Sequence, residues 1–213
     1  MLELSKENKA KFLMASSSAI YGDPQIHPQL ESYNGFVNSF GRRSCYEEGK
    51  RIAESLCFDF QNIYKCDVKI ARIFNTYGPR MNPNDGRVIS NFIVQCLKGN
   101  SITIYGDGKQ TRSFCYVDDL INGLIALMDS NYNKPINLGN EYELSIIELA
   151  KRIKSKINPE IKIKNISLFE NDPKRRKPCI DEARKKIFWE PLINLDVGLD
   201  NTISFFRKEL KIY

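Results

Sequence analysis

Histidine is almost absent, because the 213 residues contain only His27. Zinc sites and serine–histidine triads both draw on histidine, so the sequence has little from which to build either. His27 itself lies between Ile26 and Pro28 in a turn-like loop. We therefore predict a structural role for His27 and no metal site.

Paired cysteines and long apolar runs are also missing. The six cysteines include no Cys-x-x-Cys pair and lie mostly among apolar or helical residues, which favours free thiols in a reducing compartment. No run approaches the roughly 18 apolar residues of a membrane span, and the N-terminus has no signal-peptide core. These absences predict a soluble, cytoplasmic protein with no membrane contact.

Charge is only moderately unbalanced. Lys and Arg total 32 against 26 Asp and Glu, a net charge of +6 that suits an anionic small molecule as well as nucleic acid. The basic run from Lys174 to Lys177 is short and has no interleaved aromatics, so we predict no nucleic-acid partner. The length and the 42% hydrophobic content fit one large domain or two small ones.

The first part of the chain follows the order strand, long loop, helix, strand. A short apolar run at 11–14 precedes three serines, and a loop rich in Gly, Pro, Asn and Ser runs from Tyr21 to Gly41. A helix follows to about Tyr64, and a second strand at 68–74 ends at Asn75. This order predicts a βαβ crossover with parallel strands. Ligands bind at the carboxyl ends of such strands, where the serines and Asn75 lie.

Periodicity predicts the remaining elements. The helix before Tyr64 has an apolar stripe that we expect to face the core, made of Ile52, Ala53, Leu56, Cys57 and Phe60. Ser145 and Glu148 form a capping-box pattern that opens a helix to about Ile157. Further strands are predicted at Ile102–Tyr105, Phe114–Val117, Ile136–Leu138 and Ile166–Leu168, and further helices at 2–10, 88–97, 120–128, 181–188 and 199–210.

The stretch CYEEGK places Tyr46 and Lys50 one helical turn apart, so the two side chains share a face. An ammonium close to a phenol favours the phenolate, which lets a tyrosine act as a general base although its free pKa is ~10. Tyr-x-x-x-Lys alone is a weak pattern, and a surface helix with a chance spacing is the alternative. The sequence thus indicates a candidate proton-transfer pair.

Further candidate residues lie near turns and strand ends. Asn75 follows the second strand, and Arg87, Arg112 and Arg176 each lie where a guanidinium could bind a phosphate through two hydrogen bonds. Taken singly, each arginine is equally typical of a solvated surface position.

Longer motifs run along essentially the whole chain. They are YGDP at Tyr21, SCYEEGKR at Ser44, RIFNTYGPRM at Arg72, DGRVISNFI at Asp85, QTRSFCYVDDL at Gln110, INLGN at Ile136, RKP at Arg176 and WEP at Trp189. Together they resemble the extended short-chain dehydrogenase/reductases that modify nucleotide sugars, most closely the UDP-glucuronate decarboxylases. Motifs of this length and order are far more specific than Tyr-x-x-x-Lys.

The resemblance implies roles for the active-site residues. Tyr46 would take the proton of the sugar 4-hydroxyl while NAD takes the hydride, and Lys50 would hold the NAD ribose. Ser17 and Ser18 match the serine positions of the family, with Ser17 hydrogen-bonded to the 4-oxygen. The implied reaction oxidises C4 of UDP-glucuronate, releases carbon dioxide from the 4-keto intermediate and reduces the ketone to give UDP-xylose.

The resemblance also implies the substrate contacts. Asn75 and Arg87 would contact the nucleotide sugar, and Tyr105 would lie by the uridine. Arg112 would bind the diphosphate, and Arg176 would lie near the sugar carboxylate. The implied ligand is a UDP-sugar.

Two positions depart from the decarboxylase pattern. Ala19 follows Ser17 and Ser18 where the family has the glutamate associated with decarboxylation and dehydration, and Cys179 replaces the aspartate of RKPD. The segment SSSAIYG instead resembles nucleotide-sugar 4-epimerases. A 4-epimerase is therefore the alternative enzyme.

A third departure concerns the cofactor. Members of the resembled family begin with a strand and a Gly-x-x-Gly-x-x-Gly turn whose amides hold the NAD pyrophosphate. This chain has no such turn, because Gly22 and Gly35 are too far apart. We predict weak or no NAD binding by the chain alone, and a non-catalytic fragment that binds a nucleotide sugar or a partner is a further alternative.

The predicted fold class is α/β, with part of a Rossmann domain that lacks its N-terminal strands and a smaller α+β domain that binds the nucleotide sugar. The Rossmann part is assigned to 1–80, with 112–140 returning to it, and the sugar-nucleotide domain to 81–213. The first strand would lack a neighbour, and an exposed strand edge invites a partner. We therefore expect a homodimer or association with a missing N-terminal half.

Overall fold

The computed structural model describes residues 1–167 and 175–212. The helices are α1 (Leu2–Asn8), α2 (Ser44–Tyr64), α3 (Val88–Leu97), α4 (Val117–Asp129), α5 (Ile146–Ile157), α6 (Asp181–Ile187) and α7 (Leu195–Glu209). The strands are β1 (Phe12–Ser17), β2 (Val68–Ile73), β3 (Thr76–Tyr77), β4 (Ile102–Tyr105), β5 (Thr111–Ser113), β6 (Cys115–Tyr116), β7 (Ile136–Leu138), β8 (Glu143–Ser145), β9 (Ile163–Ile166) and β10 (Arg175–Arg176). A 3₁₀ turn at Ser18–Tyr21 follows β1.

A three-stranded parallel sheet in the order β1–β2–β7 supports the first part of the chain. The central strand β2 is buried from Val68 to Arg72, as expected of a strand that is covered on both faces. The predicted βαβ crossover from β1 through α2 to β2 is confirmed. Because the strands are parallel, their carboxyl ends meet at one edge, near Ser17 and Phe74.

The second part of the chain contains three smaller sheets and a larger apolar core. Strand β5 lies between β10 and β8, β4 pairs with β9, and β3 pairs with β6. Helices α3, α5 and α7 pack together through fully buried side chains, which include Ile93, Leu149, Ile153, Leu199 and Phe206. Complete burial of such side chains stabilises a fold by roughly 1.5–3 kcal/mol each.

Local sequence patterns predicted several helix boundaries correctly. Ser145 Oγ accepts the Glu148 N–H at 3.3 Å and Glu148 Oε2 accepts the Ser145 N–H at 2.8 Å, so the capping box at the start of α5 is confirmed. Helix α5 ends at Ile157 and α2 ends at Tyr64, as the periodicity predicts.

The prediction that the apolar stripe of α2 faces the core was wrong. Ile52 and Leu56 are 59% and 48% exposed, and only Cys57 of the stripe is fully buried. The reason is that α2 lies against the sheet through a neighbouring face, on which Lys50 and Glu54 make polar contacts to β1. The hydrophobic pattern alone pointed to the wrong side of the helix.

Two strand predictions need correction. Val117 begins α4, so the strand predicted at Phe114–Val117 is reduced to β6. The strand predicted near Ile166 is β9, which pairs with β4 and starts three residues earlier than the prediction. Leu168 and Lys174 lie outside the described residues.

In the described part of the chain, no helix has both the length and the apolar character needed to cross a bilayer. The division into domains at residue 80 stays a prediction. The hydrogen-bonding of β7 with β2 brings Ile136–Leu138 into the first sheet.

Candidate functional site

Tyr46 and Lys50 lie side by side on the first turns of α2. The Lys50 Nζ is 5.8 Å from the centroid of the Tyr46 ring, and the Tyr46 side chain is 51% exposed, which leaves it accessible to a ligand. Lys50 Nζ also donates a hydrogen bond to the Ala15 carbonyl of β1 at 2.8 Å. The helix therefore holds its ammonium between the tyrosine and the end of the strand.

The two serines predicted at the site follow Ala15 directly. Ser17 ends β1, and its Oγ accepts the Ala19 N–H at 3.1 Å, which caps the 3₁₀ turn. Ser18 and Ala19 are buried. Ser17 thus lies two residues along the chain from the carbonyl that binds Lys50. The joint role predicted for Ser17, Tyr46 and Lys50 stays a prediction.

A buried ion pair between Glu54 of α2 and Arg72 of β2 holds the helix against the sheet. Glu54 lies one helical turn after Lys50. Glu54 accepts hydrogen bonds from Nε and Nη2 of Arg72 on β2, at 3.1 and 2.8 Å, and the side chains are only 12% and 11% exposed. Glu54 also accepts a short hydrogen bond from the Ser16 hydroxyl. Since Lys50 and Glu54 bind adjacent residues of β1, the face that carries Tyr46 has a fixed position relative to Ser17.

The ion pair continues into a polar row across the sheet. Ser16, Arg72 and Asn137 are partners in register on β1, β2 and β7, and all three are buried. Arg72 Nη1 donates to the Tyr21 hydroxyl at 3.1 Å, and that hydroxyl donates to Asn137 Oδ1 at 2.8 Å. Burial raises the pKa of Tyr21 to about 12, so its hydroxyl keeps the proton that it donates.

The polar row was not predicted. The sequence did contain a signal, because Arg72 stands in a strand whose other residues, apart from Lys69, are apolar. A buried arginine requires an acidic partner. Nothing in the sequence identified Glu54 of α2 as that partner.

Arg112 and Arg176, for which separate ligand roles are predicted, lie next to each other on adjacent strands. They are partners in register on the adjacent strands β5 and β10, and each is only 8% exposed. Arg112 Nη1 donates to the Thr111 carbonyl at 2.8 Å, and Arg176 Nη2 donates to the Gly22 carbonyl at 3.2 Å. Guanidiniums are the donors that bind a diphosphate or a carboxylate through paired hydrogen bonds, so the roles predicted for these two arginines stay predictions.

The contact of Arg176 with Gly22 links this pair to the serine segment, because Gly22 directly follows the 3₁₀ turn. Gly22 also lines a cavity of about 490 Å³ that extends to Arg42 and to Ser44 and Glu47 at the start of α2. The cavity therefore opens between the loop after the serines and the helix that carries Tyr46.

The other predicted substrate residues lie on separate elements. Asn75 Nδ2 donates to the Ser113 carbonyl at 3.3 Å, which joins the end of β2 to β5. Arg87 precedes α3, is largely exposed and pairs with Asp85 at 3.7 Å. Tyr105 ends β4 and is 39% exposed. Their roles toward a ligand stay predictions.

His27 joins the loop after the serines to the second part of the chain. Its Nε2 lies 3.0 Å from Glu143 Oε2 on β8. Burial alone would raise the pKa of Glu143, but hydrogen bonds from Thr111 and His27 outweigh it and hold that pKa below its ordinary value. The contact fits the structural role that the sequence suggested for His27.

Comparison with known proteins gives three consistent results. Residues 1–139 match the model of the NAD dependent epimerase/dehydratase family. The chain is 52% identical over 211 residues to UDP-glucuronic acid decarboxylase 1 of Xenopus tropicalis, covering 99% of this chain and 50% of that protein. It is 51% identical over 212 residues to UDP-glucuronic acid decarboxylase 3 of Arabidopsis thaliana, covering 100% of this chain and 62% of that protein.

Solved structures agree on the fold. A UDP-N-acetylglucosamine 4-epimerase from Methanobrevibacter ruminantium M1 superposes with a TM-score of 0.90 at 31% identity, covering 96% of this chain and 66% of that one. UDP-glucuronic acid 4-epimerase from Bacillus cereus, solved with UDP-glucuronic acid and NAD, gives 0.88 at 27% identity, covering 98% and 65%. The chain therefore spans 50–66% of the length of these four relatives.

Proposed function

Because the chain belongs to the NAD dependent epimerase/dehydratase family, we propose that it carries the proton-transfer and nucleotide-sugar-binding parts of an enzyme that decarboxylates UDP-glucuronate to UDP-xylose. The observation that supports the proposal is the attachment of α2 to β1, in which Lys50 binds the carbonyl of Ala15 and Glu54 binds the hydroxyl of Ser16, next to Ser17. Identity of about half to UDP-glucuronic acid decarboxylases over the whole chain supports the choice of substrate.

The first task of the site is to remove a proton from the sugar 4-hydroxyl. Tyr46 is the group that accepts this proton, with the Lys50 ammonium close enough to stabilise the phenolate. The Ser17 hydroxyl lies at the adjacent strand end and would hydrogen-bond the same 4-oxygen. These three side chains orient the hydroxyl and take up its proton.

The second task is to hold the anionic groups of the substrate. Arg112 would bind the diphosphate and Arg176 the sugar carboxylate, since the two guanidiniums are neighbours and Arg176 reaches the loop after the serines.

Once C4 is a ketone, the carboxylate is β to it, so the C5–C6 bond breaks with release of carbon dioxide and its electron pair moves to C5. Protonation of C5 and reduction of C4 then complete UDP-xylose.

The residues of this chain could hold the nicotinamide end of NAD but not its pyrophosphate. NAD supplies the hydride acceptor of this chemistry when it is bound, and Lys50, with its ammonium at the accessible face of α2, would hold the ribose next to the nicotinamide. A turn for the pyrophosphate is not found in this sequence, so the chain alone should bind NAD weakly.

The second candidate is a nucleotide-sugar 4-epimerase, and Ala19 favours it. This residue is buried directly after the serines and carries no carboxylate. A 4-epimerase needs the same proton transfer at C4 but keeps the carboxylate, so UDP-glucuronate would yield UDP-galacturonate. The two reactions therefore share Tyr46, Lys50 and Ser17. They differ in whether the carboxylate carbon is released as carbon dioxide or kept in the product.

Calorimetric titration with UDP-glucuronate tests the binding half of the proposal. We expect saturable binding by the chain alone, weakened about tenfold or more in Arg112→Gln because a hydrogen bond from a charged group is lost. Arg152→Gln is the matched control, since Arg152 pairs with Asp196 on an exposed surface, and it should bind like the unmodified chain. Absence of saturable binding, or equal affinity in Arg112→Gln with its fold intact by circular dichroism, would refute the assignment.

A further inference from the structure

Gln29 is a fully buried polar residue that binds the segment immediately after Arg176. It lies in the loop at 22–43, between the 3₁₀ turn and α2, and is 0% exposed. Its N–H donates to the Lys177 carbonyl at 2.9 Å, and its carbonyl accepts the Cys179 N–H at 2.9 Å. The side-chain oxygen Oε1 accepts the Lys177 N–H at 2.8 Å. One loop residue therefore binds three backbone groups that closely follow Arg176.

The backbone after Arg176 changes its partner at this point. Strand β10 contains only Arg175 and Arg176, which pair with β5. Beyond β10 the chain pairs with the loop instead, through an isolated parallel bridge between Gln29 and Pro178. The loop therefore sets the course of the backbone as it leaves β10.

The same loop also contacts the Arg176 side chain. Arg176 Nη2 donates to the Gly22 carbonyl at 3.2 Å, at the start of the loop. The loop thus binds Arg176 on two sides, with Gly22 at the guanidinium and Gln29 at the backbone that follows. A shift of that backbone would move the guanidinium relative to Gly22.

Gln29 is itself anchored to the first sheet and to its own loop. Asn137 of β7 donates through Nδ2 to the Gln29 carbonyl at 3.0 Å and to the Cys179 carbonyl at 3.1 Å. Gln29 Nε2 donates to the Ile26 carbonyl at 2.8 Å. This contact fixes the orientation of the amide, because the nitrogen faces Ile26 and the oxygen faces Lys177.

We propose that Gln29 is a positioning residue, which sets the orientation of Arg176 toward the sugar carboxylate by clamping the backbone that follows it. The role of Arg176 toward a carboxylate rests on the proposed function, whereas the clamp rests on the hydrogen bonds of Gln29. The side chain of Gln29 therefore controls the affinity for nucleotide sugars that carry a carboxylate, and not the affinity for those that lack one.

Calorimetric titration of the whole chain with two ligands tests the proposal. UDP-glucuronate carries the carboxylate, and UDP-xylose lacks it. Gln29→Met keeps the length of the side chain but removes the amide, so the affinity for UDP-glucuronate relative to UDP-xylose should fall about five- to tenfold as the charged contact is misaligned. Arg176→Gln should lower the same ratio about tenfold or more, because the charged contact is lost.

A conservative variant and a matched control accompany this comparison. Gln29→Glu keeps an oxygen for the Lys177 N–H, and burial favours the protonated carboxyl, which can donate to Ile26. It should keep the affinity ratio of the unmodified chain. Gln95→Met removes another amide whose Oε1 accepts a backbone N–H, that of Thr103 on β4 at 3.1 Å. This control should also leave the ratio unchanged.

Amide hydrogen exchange measures the clamp without any ligand. The Lys177 N–H, which is bound by the Gln29 side chain, should exchange at least about tenfold faster in Gln29→Met than in the unmodified chain. Circular dichroism shows whether each variant folds. If Gln29→Met does not, Gln29→Asn replaces it in both measurements, because the shorter amide no longer reaches Lys177 while the backbone pairing is kept.

Three results would overturn the inference. Equal weakening of both ligands in Gln29→Met would show a general structural role. An unchanged ratio in Gln29→Met beside a lowered ratio in Arg176→Gln would show that Arg176 needs no clamp, and an unchanged exchange rate at Lys177 would show that the side chain holds nothing. Faster exchange in Gln29→Met with an unchanged ratio in Arg176→Gln would instead confirm the clamp and count against the carboxylate contact in the proposed function.

Discussion

Replacing Arg72 with methionine should lower the free energy of unfolding by about 3–5 kcal/mol, the cost of removing one partner from a buried ion pair. The substitution leaves the Glu54 carboxylate largely buried and without its guanidinium, and it removes the donor to the Tyr21 hydroxyl. Urea unfolding followed by circular dichroism measures the change. A loss of this size is a large fraction of the stability of an ordinary domain.

An exposed arginine provides the control for that measurement. Arg152 also pairs with a carboxylate, that of Asp196 at 3.0 Å, but the two side chains are 39% and 52% exposed. Exposed pairs contribute roughly 0–1 kcal/mol, so Arg152→Met should be close to neutral. Similar losses in the two variants would show that the Glu54–Arg72 pair does not anchor α2.

Replacing Tyr46 with phenylalanine should reduce turnover by about 10²–10⁴-fold, because the proposed general base is lost. Turnover is measured with the chain mixed with the part of UDP-glucuronic acid decarboxylase 1 of Xenopus tropicalis that the match does not cover. Affinity for UDP-glucuronate should change little, since the variant keeps the ring and removes one half-exposed hydroxyl. The initial rate of carbon dioxide release, with calorimetry for affinity, separates the two effects.

Tyr64→Phe is the matched control on the same helix. Tyr64 is 48% exposed in the last turn of α2, far along the helix from Lys50, and its loss of a hydroxyl should leave turnover unchanged. Turnover in Tyr46→Phe equal to that in Tyr64→Phe would remove Tyr46 from the proton transfer.

Much of the fold follows from local patterns in the sequence. The strand before the serines, the length of α2 and the capping box at Ser145 all depend on residues close together in the chain, and the structure confirms them. The parallel pairing of β1 with β2 followed from the order strand, helix, strand of a βαβ unit.

Contacts between distant residues could not be predicted in the same way. The apolar residues at Ile52 and Leu56 suggested a buried face, whereas the helix binds the sheet through Glu54 and the distant Arg72. A polar contact of this kind has no period and no fixed spacing. The Lys50–Ala15 hydrogen bond escaped prediction for a further reason, because it uses a backbone carbonyl that every residue has.

The proposed decarboxylation is tested most directly by following the carboxylate carbon of UDP-glucuronate. The chain is mixed with the part of UDP-glucuronic acid decarboxylase 1 of Xenopus tropicalis that the match does not cover, and with NAD. The mixture is incubated with UDP-glucuronate labelled with ¹³C in the carboxylate. The proposed decarboxylation predicts labelled carbon dioxide and an unlabelled UDP-xylose in equal amounts. Retention of the label in UDP-galacturonate would contradict it and would make the chain part of a 4-epimerase, the activity that Ala19 favours.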